Sequence, residues 1–264
     1  MYVLLRCGGE GENFGNAHKD GMRIWGITDT GLVREENQDA YAIKTIGPYT
    51  LAVVCDGMGG TQGGRLASST AVDVYREQLE NNLKAEMTAE QVSQTSQFAI
   101  ALANAAIREE AAKNPGFERM GTTLVSAIAR DDMAMISNVG DSRAYLISRE
   151  GITQVSRDHS VVENMVERGD LTPLAARHHP SRNLITRALG PDAQVQPDTF
   201  DVTWKQGDYI LLCSDGLVNT VSDQEILFEV IHGGEPDDCL ERLITLAKMR
   251  GAPDNVTAVL LMNI

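Results

Sequence analysis

In Leu51-Ala-Val-Val-Cys-Asp-Gly-Met-Gly-Gly60 an apolar run with two adjacent valines ends at a carboxylate, Asp56, and gives way at once to Gly57, Met58, Gly59 and Gly60. This pattern predicts a buried strand that carries one acid to its end. A turn follows, whose glycines take backbone angles closed to other residues. The same grammar recurs in Tyr209-Ile-Leu-Leu-Cys-Ser-Asp-Gly-Leu217, which closes on Asp215-Gly216. Two such strands would bring two carboxylates together at the rim of a sheet. Asp and Gly are also the commonest turn residues, so a plain tight turn competes with the functional reading at either place taken alone.

Upstream of this stretch, Met22 to Thr28 reads as a first strand and Asp29-Thr30-Gly31 as a turn. A polar segment from Arg34 to Asp39 then leads into a strand over 40–46, and Gly47-Pro48 turns the chain into the strand at 50–55. Downstream, Leu66, Ala67, Thr70, Val74 and Leu79 have helical spacing, which predicts a helix over 65–82. A longer helix over 88–113 opens with Thr88 as N-cap and Gln91 as its capping-box partner. Its alanines, Ala99, Ala101, Ala103, Ala105 and Ala106, suit close packing on another helix.

Strand signals return at 122–129, 134–138 and 143–148, with Gly140-Asp141 predicted at a hairpin tip. Residues 156–190 mix a short helix, 161–168, with Pro173, Pro180 and several arginines, and read as a flap, mobile and near the surface. Strands at 199–204 and 208–213 follow. Ser222 and Glu225 cap a helix over 223–231, a last helix runs from Asp237 or Asp238 to about Met249, and a strand over 256–262 ends the order. Segregated runs of strands and helices predict an α+β class and not a doubly wound parallel sheet. With no repeat and no linker, residues 22–264 are expected to form one domain. Residues 1–21, from the point where Gly, Asn and charge dominate, read as a loosely held leader without an assigned role.

The chain has 264 residues, and its 42% hydrophobic share supports a sizeable core. A net charge of −14 argues against nucleic acid or an anionic membrane surface as partner. An anionic substrate would need local neutralisation, which cations held by the surplus carboxylates supply. Cys7, Cys55, Cys213 and Cys239 are scattered without a C-x-x-C spacing, which points to free thiols in a reducing compartment. No apolar run is long enough to span a bilayer and Met1 to Arg6 lacks a signal pattern, so a cytoplasmic location is expected.

Asp39, Asp56, Asp141, Asp215 and Asp254 share one context, a predicted strand edge beside Gly, Asn or Gln. Hard divalent cations such as Mg²⁺ and Mn²⁺ prefer oxygen ligands and keep several waters. Acids spread over separate strand ends suit a two-metal cluster. Arg34, just upstream of Asp39, is suited to grip a phosphate bidentately; a surface salt bridge to Glu35 or Glu36 is the competing reading. No G-x-S-x-G is present, and Cys213 has apolar neighbours that keep its thiol protonated and inert. The glycines from Gly57 to Gly64 lack the lysine of a nucleotide-binding loop. His159, His178 and His179 read as polar loop residues.

Thr28-Asp-Thr-Gly-Leu-Val-Arg-Glu-Glu-Asn-Gln-Asp39, Val54-Cys-Asp-Gly-Met-Gly-Gly60, Gly121-Thr-Thr123, Val139-Gly-Asp-Ser-Arg143, Leu212-Cys-Ser-Asp-Gly-Leu217 and Asp254-Asn-Val-Thr257 together resemble the type 2C metal-dependent protein phosphatases, the PPM family, of bacterial type. The resemblance spans about 22–263. It implies a sandwich of two antiparallel sheets flanked on both sides by antiparallel helices. It also implies two Mg²⁺ or Mn²⁺ ions, and hydrolysis of phosphoserine and phosphothreonine in proteins by direct attack of a metal-bridging water or hydroxide. By motif, Asp56 resembles the acid that bridges both metals, and the Gly57 carbonyl a ligand of one. Asp215 and Asp254 resemble ligands of the other metal, and Asp39 the acid that orients metal-bound water. Arg34 matches the phosphate-binding arginine, and Asp141, with Asp215, the holder of a third ion. Residues 156–190 stand in the place of the substrate-contacting flap.

Two positions depart from the animal members: Met58 replaces a histidine that serves as general acid, and Gln38 replaces a metal-ligating glutamate. Both departures are features of bacterial members. The resemblance further implies phosphorylated proteins as substrates and a cognate Ser/Thr kinase as partner. A monomer is expected. Two rival readings are a catalytically inactive regulatory module of the same fold and a metal-dependent small-molecule phosphohydrolase.

Overall fold

In the strand that runs through Asp56, Leu51, Val53 and Cys55 face one way and Ala52 and Val54 the other, and all five are fully buried. A strand covered on both faces lies inside a stack of layers, and the rest of the chain supplies them. The structure, a computed structural model, describes residues 14–15, 21–60, 62–113, 115–176 and 178–264.

The first half of the chain gives β1 (Phe14–Gly15), β2 (Met22–Asp29), β3 (Asp39–Ile46), β4 (Tyr49–Met58), α1 (Gly63–Asn82), α2 (Ala89–Lys113), β5 (Gly121–Thr122), β6 (Leu124–Arg130), β7 (Met133–Val139), β8 (Arg143–Ser148) and β9 (Gly151–Gln154). Then come α3 (Val161–Glu167), α4 (Pro173–Ala176), β10 (Asp198–Thr203), β11 (Tyr209–Cys213), α5 (Asp215–Val218), α6 (Asp223–His232), α7 (Cys239–Met249) and β12 (Val256–Asn263). One sheet has the order β1-β2-β12-β11-β8-β9 and the other β10-β7-β6-β4-β3, with β5 paired to β4. Every pairing is antiparallel. The α+β class and the two-sheet architecture are as expected.

Alternation sorts the apolar side chains into three cores. Between the sheets lie Ile24, Ala52, Val54, Val125, Ala127, Ile136, Leu212, Val259 and Leu261. Alanines at 52, 127, 129, 134 and 144 keep this layer thin. Leu51, Val53 and Cys55 meet Ala67, Ala71, Tyr75, Ala99 and Ala103 of α1 and α2. Trp25, Leu211 and Leu260 meet Ile226, Leu243 and Ile244 of α6 and α7. A buried hydroxyl group of four ties the first helix pair to its sheet: Tyr75 Oη lies 2.7 Å from both Ser96 and Ser126, and Ser96 lies 2.9 Å from Ser137.

The expected caps are present. Thr88 N donates to Gln91 Oε1 at 2.9 Å, and Ser222 N to Glu225 Oε2 at 3.0 Å. Four local expectations are corrected. β4 does not stop at Asp56 but runs on to Met58, because Gly57 and Met58 pair with Thr122 and Gly121 of β5. Asp215 does not end a strand: β11 closes at Cys213, and Asp215 opens the helical turn α5. Gly140-Asp141 is not a hairpin tip. Both edges of β7 are taken by β6 and β10, and both edges of β8 by β11 and β9, so the chain crosses here from one sheet to the other. The segment 156–190 lies at the surface mainly in its middle, where Leu174 and Leu184 are exposed; Ser156, Asp158, His159, Ser160 and Leu189 toward its two ends are buried. Of the leader, Phe14–Gly15 pairs with Trp25 and Gly26, residue 21 is a turn, and the rest lies outside the described residues.

Candidate metal centre

The period of two that fills the inner layer also builds the site. Extending the inward row of each strand toward one end of the sandwich replaces aliphatic side chains with oxygen-bearing ones. After Ala52 and Val54 comes Asp56, and beyond Val259 comes Thr257. Before Tyr41 comes Asp39, before Val125 Thr123, and after Leu212 Ser214. Asp39 and Asp56 stand directly opposite each other across β3 and β4. Asp215 and Asp254 come from the other sheet, the first opening α5 and the second leading into β12. Asp141 sits in the crossover.

Four of these acids, Asp39, Asp56, Asp141 and Asp215, are pushed up by burial and by neighbouring carboxylates. Burial, then Asp39, Asp215, Asp141 and Asp254 in turn, push the Asp56 carboxyl well above its usual range. Burial raises Asp39 to about 7, against two hydroxyls that lower it, with Asp215 and Asp254 adding to the rise. Asp141 is pushed to about 8 by burial and by Asp215 and Asp158. Burial and Asp254 raise Asp215. Like charges forced together out of water call for a compensating cation.

Two atoms make the same point geometrically. Asp39 Oδ2 accepts from Ser214 Oγ at 2.7 Å and Thr257 Oγ1 at 2.6 Å, while its Oδ1 is buried without a partner. Asp215 Oδ2 accepts from Asn219 at 3.0 Å, and its Oδ1 is likewise buried and bare. Among the described residues, no three His, Cys, Asp or Glu side chains already close on one point at metal-ligand spacing. The fit to hard divalent cations therefore rests on the donor set: all oxygen, strongly acidic, with two free buried oxygens.

The backbone around Asp56 is packed to contact. Its carbonyl accepts from Thr122 Oγ1 at 2.8 Å and Thr123 N at 2.9 Å, and its N–H donates to Thr123 Oγ1 at 2.9 Å. Gly57 N donates to the Gln38 carbonyl at 3.1 Å. A Cβ on Gly57 would lie 2.1 Å from the Gly64 carbonyl oxygen, so α1 can sit against β4 only through a glycine.

Arg34 is half exposed and its Nη2 donates to Asp254 Oδ2 at 2.8 Å. It is therefore not spent on Glu35 or Glu36, the competing reading; Glu36 pairs with Arg65 at 3.1 Å. His159 lies in a loop, as expected, but is buried there. Its Nδ1 accepts from Gly140 N at 3.0 Å and its Nε2 faces Asp198 Oδ2 at 3.2 Å. Beside it Asp158 takes Nε and Nη2 of Arg143 at 3.0 and 2.7 Å. Both contacts fasten the flap base to the Asp141 crossover.

A profile described as Protein phosphatase 2C matches residues 33–234, most of the chain. The chain belongs to the protein phosphatase 2C family. It is 35% identical over 235 residues to the serine/threonine phosphatase stp of Listeria innocua, covering 88% of this chain and 92% of that protein. Among solved structures, the serine/threonine phosphatase Stp1 of Staphylococcus aureus superposes with a TM-score of 0.86 at 34% identity, covering 98% of this chain and all of that one. The catalytic domain of the serine/threonine protein phosphatase PstP, in complex with two manganese ions, superposes with a TM-score of 0.80 at 32% identity over 92% of this chain and 99% of that one. The chain is accordingly a serine/threonine protein phosphatase of the 2C type.

Within this phosphatase 2C domain, Asn255, Ser214, Thr257 and Thr123 stand inside the quoted motifs but were given no role of their own, and His159 only that of a loop residue. Thr257 carried a faint signal, a lone hydroxyl in an otherwise aliphatic strand at the parity of the inner row. Asn255 carried only its place in the Asp254-Asn-Val-Thr257 motif. Yet its Nδ2 donates to the carbonyls of Thr30 and Glu36 at 2.9 and 3.0 Å, and its Oδ1 accepts from Gln38 N at 2.9 Å. Gln38 in turn gives its Nε2 to the Gly60 carbonyl at 2.8 Å, tying down the glycine turn.

Proposed function

We propose that this phosphatase works with two Mg²⁺ or Mn²⁺ ions held by Asp56, the Gly57 carbonyl, Asp215 and Asp254, with a third site at Asp141 and Asp215. The observation that carries this is the pair of bare buried oxygens, Asp39 Oδ1 and Asp215 Oδ1, inside a cluster of mutually repelling acids. Bound cations would make a water molecule nucleophilic near neutral pH and offset the charge of the phosphoryl oxygens. Asp39, with Oδ2 saturated by two hydroxyls, offers Oδ1 alone to accept a proton from that water. Arg34 keeps one hydrogen bond to Asp254 and is half open to solvent, so the rest of its guanidinium is available to grip an incoming phosphoryl group. Met58 has no proton to give, so the leaving alkoxide would take its proton from a water held at the metals or from another group.

Residues 22–264 act in this reading as one catalytic unit, since one sheet pairs β2 with β12 from the two ends of that span and shares a core with the other sheet, with 156–190 as the substrate-contacting flap. The substrates are phosphorylated proteins, the opposing enzyme is a cognate Ser/Thr kinase, and the chain works as a monomer. A cytoplasmic location agrees with the free buried thiols of Cys55, Cys213 and Cys239, and no helix among the described residues is long and apolar enough to cross a membrane.

The test is manganese-dependent hydrolysis of p-nitrophenyl phosphate and of phosphopeptides, paired with calorimetric titration of the metal. Asp56→Ala and Asp215→Ala are expected to abolish turnover and to remove at least one binding event. Near-normal rates in either would refute the assigned cluster. No turnover by the unaltered protein at any metal concentration would favour an inactive regulatory module, and faster turnover of nucleotides than of phosphopeptides a small-molecule phosphohydrolase. Arg34→Ala is expected to raise KM for phosphorylated substrate; a fall in kcat at constant KM would reject its role in binding.

A further inference from the structure

Residues 30–38 form a loop whose backbone is fastened on both sides of residues 33–35, at Thr30, Gly31 and Leu32 and again at Glu36 and Gln38. Asn255 clasps it at Thr30, Glu36 and Gln38. Leu32 N donates to the Ala252 carbonyl at 3.0 Å, and Gly31 N to Asp29 Oδ1 at 2.8 Å. Gly31 has φ +79°, and a Cβ there would lie 2.3 Å from the Asp254 carbonyl oxygen, so the loop lies directly on the segment that carries Asp254. Arg34 then reaches across to the Asp254 side chain.

Out of this fixed backbone two aliphatic side chains stand into solvent: Leu32 is 59% exposed and Val33 67%. Exposed apolar residues on a loose loop need no explanation. Ordering a loop costs conformational entropy, and here the order serves to hold an apolar pair still, immediately before the arginine assigned to the phosphate. Neighbouring residues of an extended peptide are about 3.8 Å apart at Cα. A substrate whose phosphoryl group meets Arg34 therefore carries its next one or two side chains past Leu32 and Val33.

We infer that Leu32 and Val33 form an apolar ledge that selects phosphorylated segments carrying an aliphatic side chain within two positions of the phosphoserine or phosphothreonine. The inference rests on the phosphatase reading above and adds a substrate class to it. Charge supports the same occupant. Glu35 is exposed beside the ledge and the chain carries a net charge of −14, so an acidic flank is repelled where an aliphatic one is accepted.

The test uses the full chain with saturating Mn²⁺ and phosphoserine peptides that differ only at the two positions on either side, carrying Leu, Gly or Glu there. The unaltered protein is expected to prefer Leu over Gly by about fivefold in kcat/KM on one side, the scale of partly burying one aliphatic side chain. In Leu32→Ser and Val33→Ser that ratio is expected to fall toward one. The ratio is read within each variant, so a general loss of activity or fold cancels out. Equal rates for Leu and Gly peptides in the unaltered protein overturn the ledge and leave the phosphatase reading standing. A preference that survives both substitutions overturns it too. Absence of turnover for every peptide overturns the reading and the ledge together. Dimerisation in solution that Leu32→Ser abolishes overturns it in favour of a self-association surface.

Discussion

Asp39 shows how one carboxylate is given two unlike ends. Its Oδ2 is saturated by Ser214 and Thr257, and its Oδ1 is left bare. Groups that orient a ligand commonly matter to metal affinity about as much as 10- to 100-fold. Thr257→Val keeps the shape of the side chain and removes one donor, and it is expected to weaken Mn²⁺ binding by about tenfold in calorimetric titration. Thr257→Ser restores the hydroxyl and is expected to recover most of the affinity; equal weakening by both substitutions would show that packing, and not the hydrogen bond, matters here. All five acids were legible in the sequence because Asp beside Gly, Asn or Gln is a visible pattern. The hydroxyls that serve them were not, since Ser and Thr are common everywhere and only the third dimension shows that Ser214 and Thr257 meet on Asp39, with Thr28 in contact with Thr257. Asn255 is the sharper case, an ordinary residue by composition that organises a whole loop.

At the scale of elements, strand and helix positions were readable from period and caps, and errors fell where two elements compete for one edge. The crossover at Gly140 looks like a hairpin because its local chemistry is that of a turn. Only the occupancy of both edges of β7 and β8 rules a hairpin out, and edge occupancy is not a local property of sequence. The junction of β4 with α1 depends on Gly57, where an added methyl group would collide with the Gly64 carbonyl. Gly57→Ala is expected to push the helix start from the strand, to lower the melting temperature and to impair metal binding, whereas an unchanged melting curve would show that the junction yields. Asn255→Ala removes three hydrogen bonds from the 30–38 loop. It is expected to raise KM much as Arg34→Ala does, because a freed loop no longer presents its arginine; an unchanged KM would mean that Gly31 and Leu32 suffice to hold it.

For the whole molecule, the acid cluster makes stability depend on pH in an unusual direction. Asp39 and Asp141 have folded-state values near 7 and 8, against 3.8 for a free aspartate. Between those limits the folded chain binds more protons than the unfolded one, so the metal-free protein loses stability as pH rises from about 4 to about 8. Melting temperature without metal is expected to fall over that range, and Mn²⁺ to reverse the trend by taking the place of the protons. A metal-free melting temperature that rises with pH across this window would contradict the raised values. The same site draws its acids from both sheets, and one of those sheets is closed by β2 pairing along its whole length with β12, from Met22 against Asn263 to Asp29 against Val256. During synthesis β2 must wait for β12, far behind it in the chain, to leave the ribosome. The nascent chain can assemble α1, α2 and the β3–β4–β6–β7 layer beforehand, but not the sheet that supplies Asp215 and Asp254. A chain cut anywhere before β12 is therefore expected to lack the strand that completes this sheet, and with it the frame on which the proposed cluster is assembled.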